Sequence, residues 1–227
     1  MKVSINKKVF EVFNDRFHVG LLWCSNLNNS GSPADIHEML RDVEELVRIN
    51  FNPSSLQTHE LISAWKSAVA HYGEKAQHFQ SSVERMMTYV LEGEDIETKN
   101  KLGDLCNFIS LKYLVPLGVT DTDKAEGNIE FTLAGSEKWN GSPIEKNELI
   151  MKAGDDVISR KLDFNISSKG EVDKKTKNAI IHIEAIPPID ENRLMNILEE
   201  LQGLVRIFCG AKIKKTILKN DKNEIDF

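Results

Sequence analysis

His182 and Glu184 stand two residues apart in the otherwise apolar run Ile180-Ile181-His182-Ile183-Glu184-Ala185. Strand periodicity puts both side chains on one face, where an imidazole and a carboxylate can share a proton and line a pocket. The same alternation also marks a strand with one solvated face, which is the simpler expectation. A denser polar group lies between Asp104 and Gly127. Asp104, Asn107 and Ser110 recur at i, i+3 and i+6, opposite an apolar stripe of Leu102, Leu105, Cys106 and Ile109. In isolation such a polar stripe is the wet face of an amphipathic helix. Asp121, Asp123, Lys124 and Glu126 follow in the loop after Pro116-Leu117-Gly118.

Generic catalytic signatures are absent: no G-x-x-x-x-G-K-[ST] loop, no G-x-G-x-x-G and no G-x-S-x-G elbow occurs. His37-Glu38 and His59-Glu60 each open a zincin-like pattern, but Arg41 and Ser63 stand where the second histidine belongs. One imidazole per helix cannot make a helical zinc pair, so no metal and no cofactor is expected. The three cysteines, Cys24, Cys106 and Cys209, are scattered, which argues against a disulfide framework and points to the reducing cytoplasm. Basic residues gather twice. Lys152, Arg160, Lys161, Lys169, Lys174, Lys175 and Lys177 form one group; Lys212, Lys214, Lys215, Lys219 and Lys222 form the other. Each is either a solvated surface or a phosphate-tracking patch.

Several elements must position these groups. VFEVF and FHVGLLWC near the N-terminus alternate as two short strands. Ser32 with Asp35 resembles a capping box ahead of a helix carrying Ile36, Met39, Leu40, Val43 and Val47, with Pro33 at its first position. A second helix is expected from Thr58 to Tyr72, stopped by Gly73. A third begins at Ser81, paired with Glu84, and ends at Gly93; a fourth runs from Asn100 to Tyr113. After Pro116 short alternating segments take over: Ile129–Leu133, Leu149–Lys152, Val157–Phe164 and Ala179–Ile186, with a turn at Asn140-Gly141. Pro187-Pro188 leads into a last amphipathic helix that ends at Gly210, with a closing strand near Ile213–Leu218.

Helices early and strands late imply an α+β class. The 227 residues, 41% hydrophobic and 28% charged, are expected to form one domain over 1–227, since no linker divides them. No apolar run approaches the length of about 18 residues that suggests a membrane span. Charges interrupt MKVSINKKVFEVF too soon for a signal peptide. A formal net charge of -6 argues against a dedicated duplex-DNA binder, and no DNA partner is expected. RNA binding would need a local basic patch.

The residues from Gly103 through Tyr113, then Leu114-Val115-Pro116-Leu117-Gly118, then Asp121-Thr122-Asp123-Lys124-Ala125-Glu126-Gly127 resemble the B3/B4-type domain. That is the tRNA-editing domain of the phenylalanyl-tRNA synthetase β-subunit, which also occurs free-standing. Thr176-Lys177-Asn178, Glu184-Ala185 and the Pro187-Pro188 helix closing at Cys209-Gly210 extend the resemblance across nearly the whole chain. It implies a helix-rich N-terminal half and mixed or antiparallel sheets layered in a sandwich-like arrangement. It further implies tRNA or aminoacyl-tRNA as partner and hydrolysis of a mischarged ester in trans. Ligation is not implied, because the chain has no room for the rest of a synthetase subunit. A non-catalytic RNA- or amino-acid-binding module is the alternative.

By the same resemblance, the substrate pocket would draw on Asp104, Asn107, Ser110, Gly118, Asp121, Lys124 and Glu184. Lys161, Lys174, Lys175 and Lys177 would meet the tRNA backbone. No residue is assigned to catalysis. Cys106 and Gly118 replace the threonine and histidine general in bacterial synthetases, which argues against tyrosine-specific editing.

Overall fold

The computed structural model describes residues 1–70, 78–163 and 165–227. Strand β1 (Lys2–Ile5), helix α1 (Lys7–Val12) and β2 (His18–Ser25) open the chain. Five helices follow: α2 (Ala34–Asn50), α3 (Pro53–Thr58), α4 (Glu60–Ala68), α5 (Ser82–Leu91) and α6 (Lys101–Tyr113). The second half carries β3 (Leu117–Asp121), β4 (Ile129–Leu133), β5 (Lys138–Trp139), β6 (Ser142–Pro143), β7 (Leu149–Ala153), β8 (Asp156–Arg160), β9 (Asn165–Ile166) and β10 (Ala179–Ala185). Helix α7 (Glu191–Cys209), β11 (Lys212–Leu218) and β12 (Glu224–Asp226) complete it. The class is α+β, as the order of signals implies.

One sheet has the order β12-β1-β4-β7-β8-β9 and the other β11-β2-β10-β3. The β1–β4 pair is parallel, whereas β10 is antiparallel to both β2 and β3, so the sheets are mixed and antiparallel respectively. The four-stranded sheet is covered on both sides. Ile181 and Ile183 of β10 pack with Leu105, Ile109, Ile197 and Leu198 of α6 and α7. Ile180, on the other face, packs with Phe131, Leu149 and Ile158 of the six-stranded sheet. All seven residues of β10 are buried. A third cluster joins α2, α5 and α6 through Leu40, Val43, Met87 and Leu111.

Local signals place most boundaries. Ser81, Asn100 and Asp190 cap α5, α6 and α7 by accepting backbone N–H bonds from Glu84, Gly103 and Arg193. Such caps each contribute about 1 kcal/mol. Gly210 closes α7 at a φ of 63°, a conformation that carries no Cβ penalty in glycine. Asn140 and Gly141, both at positive φ, turn β5 into β6.

Four expectations are corrected. VFEV is helical, not extended: Asn6 caps α1 by accepting from the Lys8 N–H, and Val9, Phe10 and Phe13 fall at helical spacing into the core. The Ser32–Asp35 capping box does not form, because Ser32 gives its hydroxyl to Asp104, and Pro33 is itself the N-cap of α2. Thr58 ends the separate helix α3, and the helix expected from Thr58 starts at Glu60, because the extended backbone of His59 (ψ 133°) makes that residue the N-cap of α4. Its expected end at Tyr72 and Gly73 lies outside the described residues. The strand expected over Val157–Phe164 stops at Arg160; Lys161, Leu162 and Asp163 then take three consecutive positive φ values of 54°, 49° and 65°, and Phe164 lies outside the described residues. Among the described residues no helix is long and apolar enough to cross a membrane.

Candidate functional site

The residues assigned to one pocket by sequence occupy three places. Helix α6 presents Asn100, Gly103, Asp104 and Asn107 to a groove of about 410 Å³ against α5. Met86, Tyr89 and Ile96 give this groove apolar walls, and Arg85 and Lys99 border it. Asn107 is half-buried, with its side chain on the groove. Asp104, by contrast, is fully committed. One carboxylate oxygen accepts the Lys99 N–H at 3.1 Å and the other the Ser32 hydroxyl at 2.7 Å. Ser110 is buried too and donates to the Val115 carbonyl at 2.6 Å, holding the turn out of α6. The wet-face expectation therefore fails for Asp104 and Ser110: the loops before α2 and after α6 fold over that stripe. Asn29 completes the lid, donating to Asn100 Oδ1 and the Asp173 carbonyl while accepting the Leu102 N–H.

Asp121 and Lys124 form a second place, a clamp at the end of β3. One Asp121 oxygen accepts the N–H groups of Asp123 and Lys124; the other accepts the Thr176 hydroxyl at 2.6 Å. The Lys124 ammonium pairs with Asp173 at 2.8 Å, and Asn178 donates to Asp123. These bonds tie β3 to the loop where Lys174, Lys175 and Lys177 stand exposed. Lys161 is elsewhere, beside Arg160 on a cavity of about 260 Å³.

The third place lies between the sheets. His182 and Glu184 are 1% and 3% exposed, so the solvated-face expectation is overturned: β10 is a central strand covered on both faces. His182 Nδ1 lies 2.8 Å from Glu184 Oε1 and 3.8 Å from Asp163 Oδ2. The Ser159 hydroxyl donates to Asp163 Oδ1 at 2.5 Å, and Phe131 meets the imidazole edge to face. Burial raises Asp163 above the usual carboxylate range, and the Glu184 charge adds to it. Burial works against a charged His182, but the Asp163 and Glu184 carboxylates overturn that and raise it.

Gly118 is paired in register with His182 and completes this cluster. A Cβ there would fall 2.5 Å from His182 Cε1 and 2.5 Å from Asp163 Oδ1. An imidazole from β10 thus fills the space beside Gly118. Asn107 does not reach it, since α6 packs on the opposite face of the four-stranded sheet. Asp163 escaped the sequence reading. It follows β8 on a turn of three left-handed residues, with no glycine to mark it. The three cysteines are buried and unpaired, and burial pushes the Cys24 thiol up to about 12 and Cys209 to about 11, which keeps thiolate chemistry out of reach.

Comparison with known proteins supports the resemblance. Uncharacterized protein YhzB of Bacillus subtilis (strain 168) is 20% identical over 211 residues, 91% of this chain and 96% of that protein. The family model described as B3/4 domain matches residues 64–210, a span that includes α5, α6, the Asp121 clamp, the inter-sheet cluster and α7. With well over half of its length matched in this way, the chain belongs to the B3/4 domain family.

Proposed function

We propose that this domain binds the aminoacylated end of a tRNA in the α5–α6 groove and hydrolyses the ester in trans. The observation that carries this reading is the groove itself. At about 410 Å³ it has the volume of a small-ligand site, with apolar walls for a side chain and Asn107 as an amide that can donate to an acyl oxygen. Arg85 and Lys99 border it, Lys99 at 3.6 Å from Glu97 of the same lining, and these are the proposed contacts to the phosphates of the acceptor end. In the reaction water adds to the acyl carbon, the bond to the ribose oxygen breaks, and that oxygen takes the proton. The tRNA's own terminal hydroxyl would position the water. Lys174, Lys175 and Lys177, exposed on one loop, are the proposed backbone contacts.

A panel of correctly and incorrectly charged tRNAs, followed for ester loss, tests the reading. Asn107→Ala is expected to slow cleavage of the preferred substrate on the order of 10²-fold, the usual effect of removing one oxyanion donor. Unchanged cleavage of every member of the panel would sink the site assignment. One observation favours a second reading, a binding module without turnover. Among the described residues no imidazole lines the groove, and both Asp104 oxygens are already bonded. That reading predicts saturable tRNA binding with no ester loss.

A further inference from the structure

We propose that Asp163, His182 and Glu184 form a binding site for one divalent first-row metal ion of the zinc class. The proposal is independent of the α5–α6 groove and of tRNA. Three ligand types arrive from two elements, the left-handed turn after β8 and the central strand β10, and one donor atom from each lies within 4.8 Å of the others. His182 Nδ1 and Asp163 Oδ2, 3.8 Å apart, have the spacing of two ligands on one ion with bonds of about 2.0–2.2 Å, and binding would replace the 2.8 Å Nδ1–Glu184 Oε1 hydrogen bond and release its proton.

Two further observations point to an occupant. Among the described residues no donor group reaches Asp163 Oδ2 or Glu184 Oε2, and both side chains are buried, at 2% and 4% exposed. A buried carboxylate oxygen left in this way is costly unless something charged or donating meets it. A void of about 10 Å³ touches Asp163 and Glu184 among mostly apolar walls that include Phe131 and Leu162; His182 does not border it. That is room for one atom and not for an organic ligand.

Charge and support agree. Asp163 and Glu184 are enclosed among Phe131, Leu149, Ile158 and Leu162, where a dication would meet both carboxylates in apolar surroundings. The Ser159 hydroxyl fixes Asp163 by its other oxygen, which orients Oδ2, as outer partners of metal ligands do. Three successive left-handed residues hold Asp163 in place, and backbone strain of this kind collects at ligand clamps. One imidazole with two carboxylates suits a zinc-class ion, whereas calcium takes six to eight oxygen ligands, more than two carboxylates supply.

The test uses the full chain, made without a metal-affinity tag in zinc-supplemented medium, dialysed, and assayed for metal by mass spectrometry. Roughly one zinc per chain is expected, with a melting temperature that falls on chelation and returns with Zn²⁺. Asp163→Asn and Glu184→Gln should each weaken binding by more than the ten- to hundredfold that loss of an outer partner causes. Ser159→Ala, which keeps all three ligands, should weaken it by about tenfold and serves if the ligand variants do not fold. Cobalt substituted into the wild type should give visible absorption that Ser159→Ala perturbs. A wild type that retains no zinc and melts identically with Zn²⁺ and chelator overturns the proposal. So does zinc that survives unchanged in these variants, since it would then sit on the surface.

Discussion

Gly118→Ala is expected to cost about 3 kcal/mol or more and, with it, most of the soluble protein, although it adds a single methyl group. Overpacking usually costs less because some neighbour can give. Here none can. The new Cβ would lie 2.5 Å from Asp163 Oδ1 and 2.5 Å from His182 Cε1. Asp163 is held by Ser159 and by its left-handed backbone; His182 is held by Glu184 on its Nδ1 side and by the Phe131 ring. Moving either ring or carboxylate strips a buried charged group of its partner, which adds a desolvation penalty to the steric one. Gly203 in α7 is the control. A Cβ there meets nothing within 4 Å, so Gly203→Ala should stabilise the helix by about 0.5–1 kcal/mol. Urea unfolding of the two variants measures both. A Gly118→Ala protein as stable as the wild type would mean that the inter-sheet cluster is looser than its distances imply.

How far the sequence reached follows from the range of the forces involved. Caps are local, so Ser81, Asn100 and Gly210 marked their helices without any knowledge of the fold. VFEVF reads as a strand because five residues hold less than two helical turns, too few to separate a period of 2 from 3.6; the Asn6 cap is the signal that decides it. The helix expected from Thr58 starts two residues later because His59 takes an extended backbone and becomes its N-cap, which apolar spacing alone does not mark. Burial of polar groups was the larger failure. Asp104 and His182 look like surface residues in any local window; what buries them is a loop from residue 29 and a second sheet. Asp163 gave no signal at all, because its turn is held by tertiary contacts against the preference of non-glycine residues. Family resemblance recovered the fold but placed Asn107 and Glu184 in one pocket, where a sheet separates them.

Arg41→Ala is the second large effect, expected at about 2–4 kcal/mol, somewhat below the 3–5 of a fully buried pair because the guanidinium is a quarter exposed. Glu44 is 0% exposed on α2, and its Oε1 accepts both the Arg41 guanidinium and the Ile96 N–H at 2.9 Å. Arg41 also donates to the Ile96 carbonyl at 2.7 Å and pairs with Asp95. Both polar backbone groups of Ile96 are thus tied to α2, and Ile96 is a wall of the α5–α6 groove. Removing Arg41 leaves a buried carboxylate with one N–H for company. The pH dependence identifies the cause. Burial already raises Glu44 above its usual range, with the Ile96 N–H and Arg41 opposing, and loss of Arg41 raises it further. An acid with a raised folded-state pKa loses stability as pH rises through that value. The gap between Arg41→Ala and wild type should therefore be widest near neutral pH and narrow as pH falls toward the unfolded carboxylate value of about 4.3. Adding Glu44→Gln removes the charge and keeps an acceptor for Ile96, so the double variant should be more stable than Arg41→Ala alone. A gap that is the same at every pH, or a double variant no better than the single, would place the loss in the Ile96 carbonyl contact instead of the carboxylate. In either case the groove loses its anchored wall, and tRNA binding should weaken with it if the groove is the binding site.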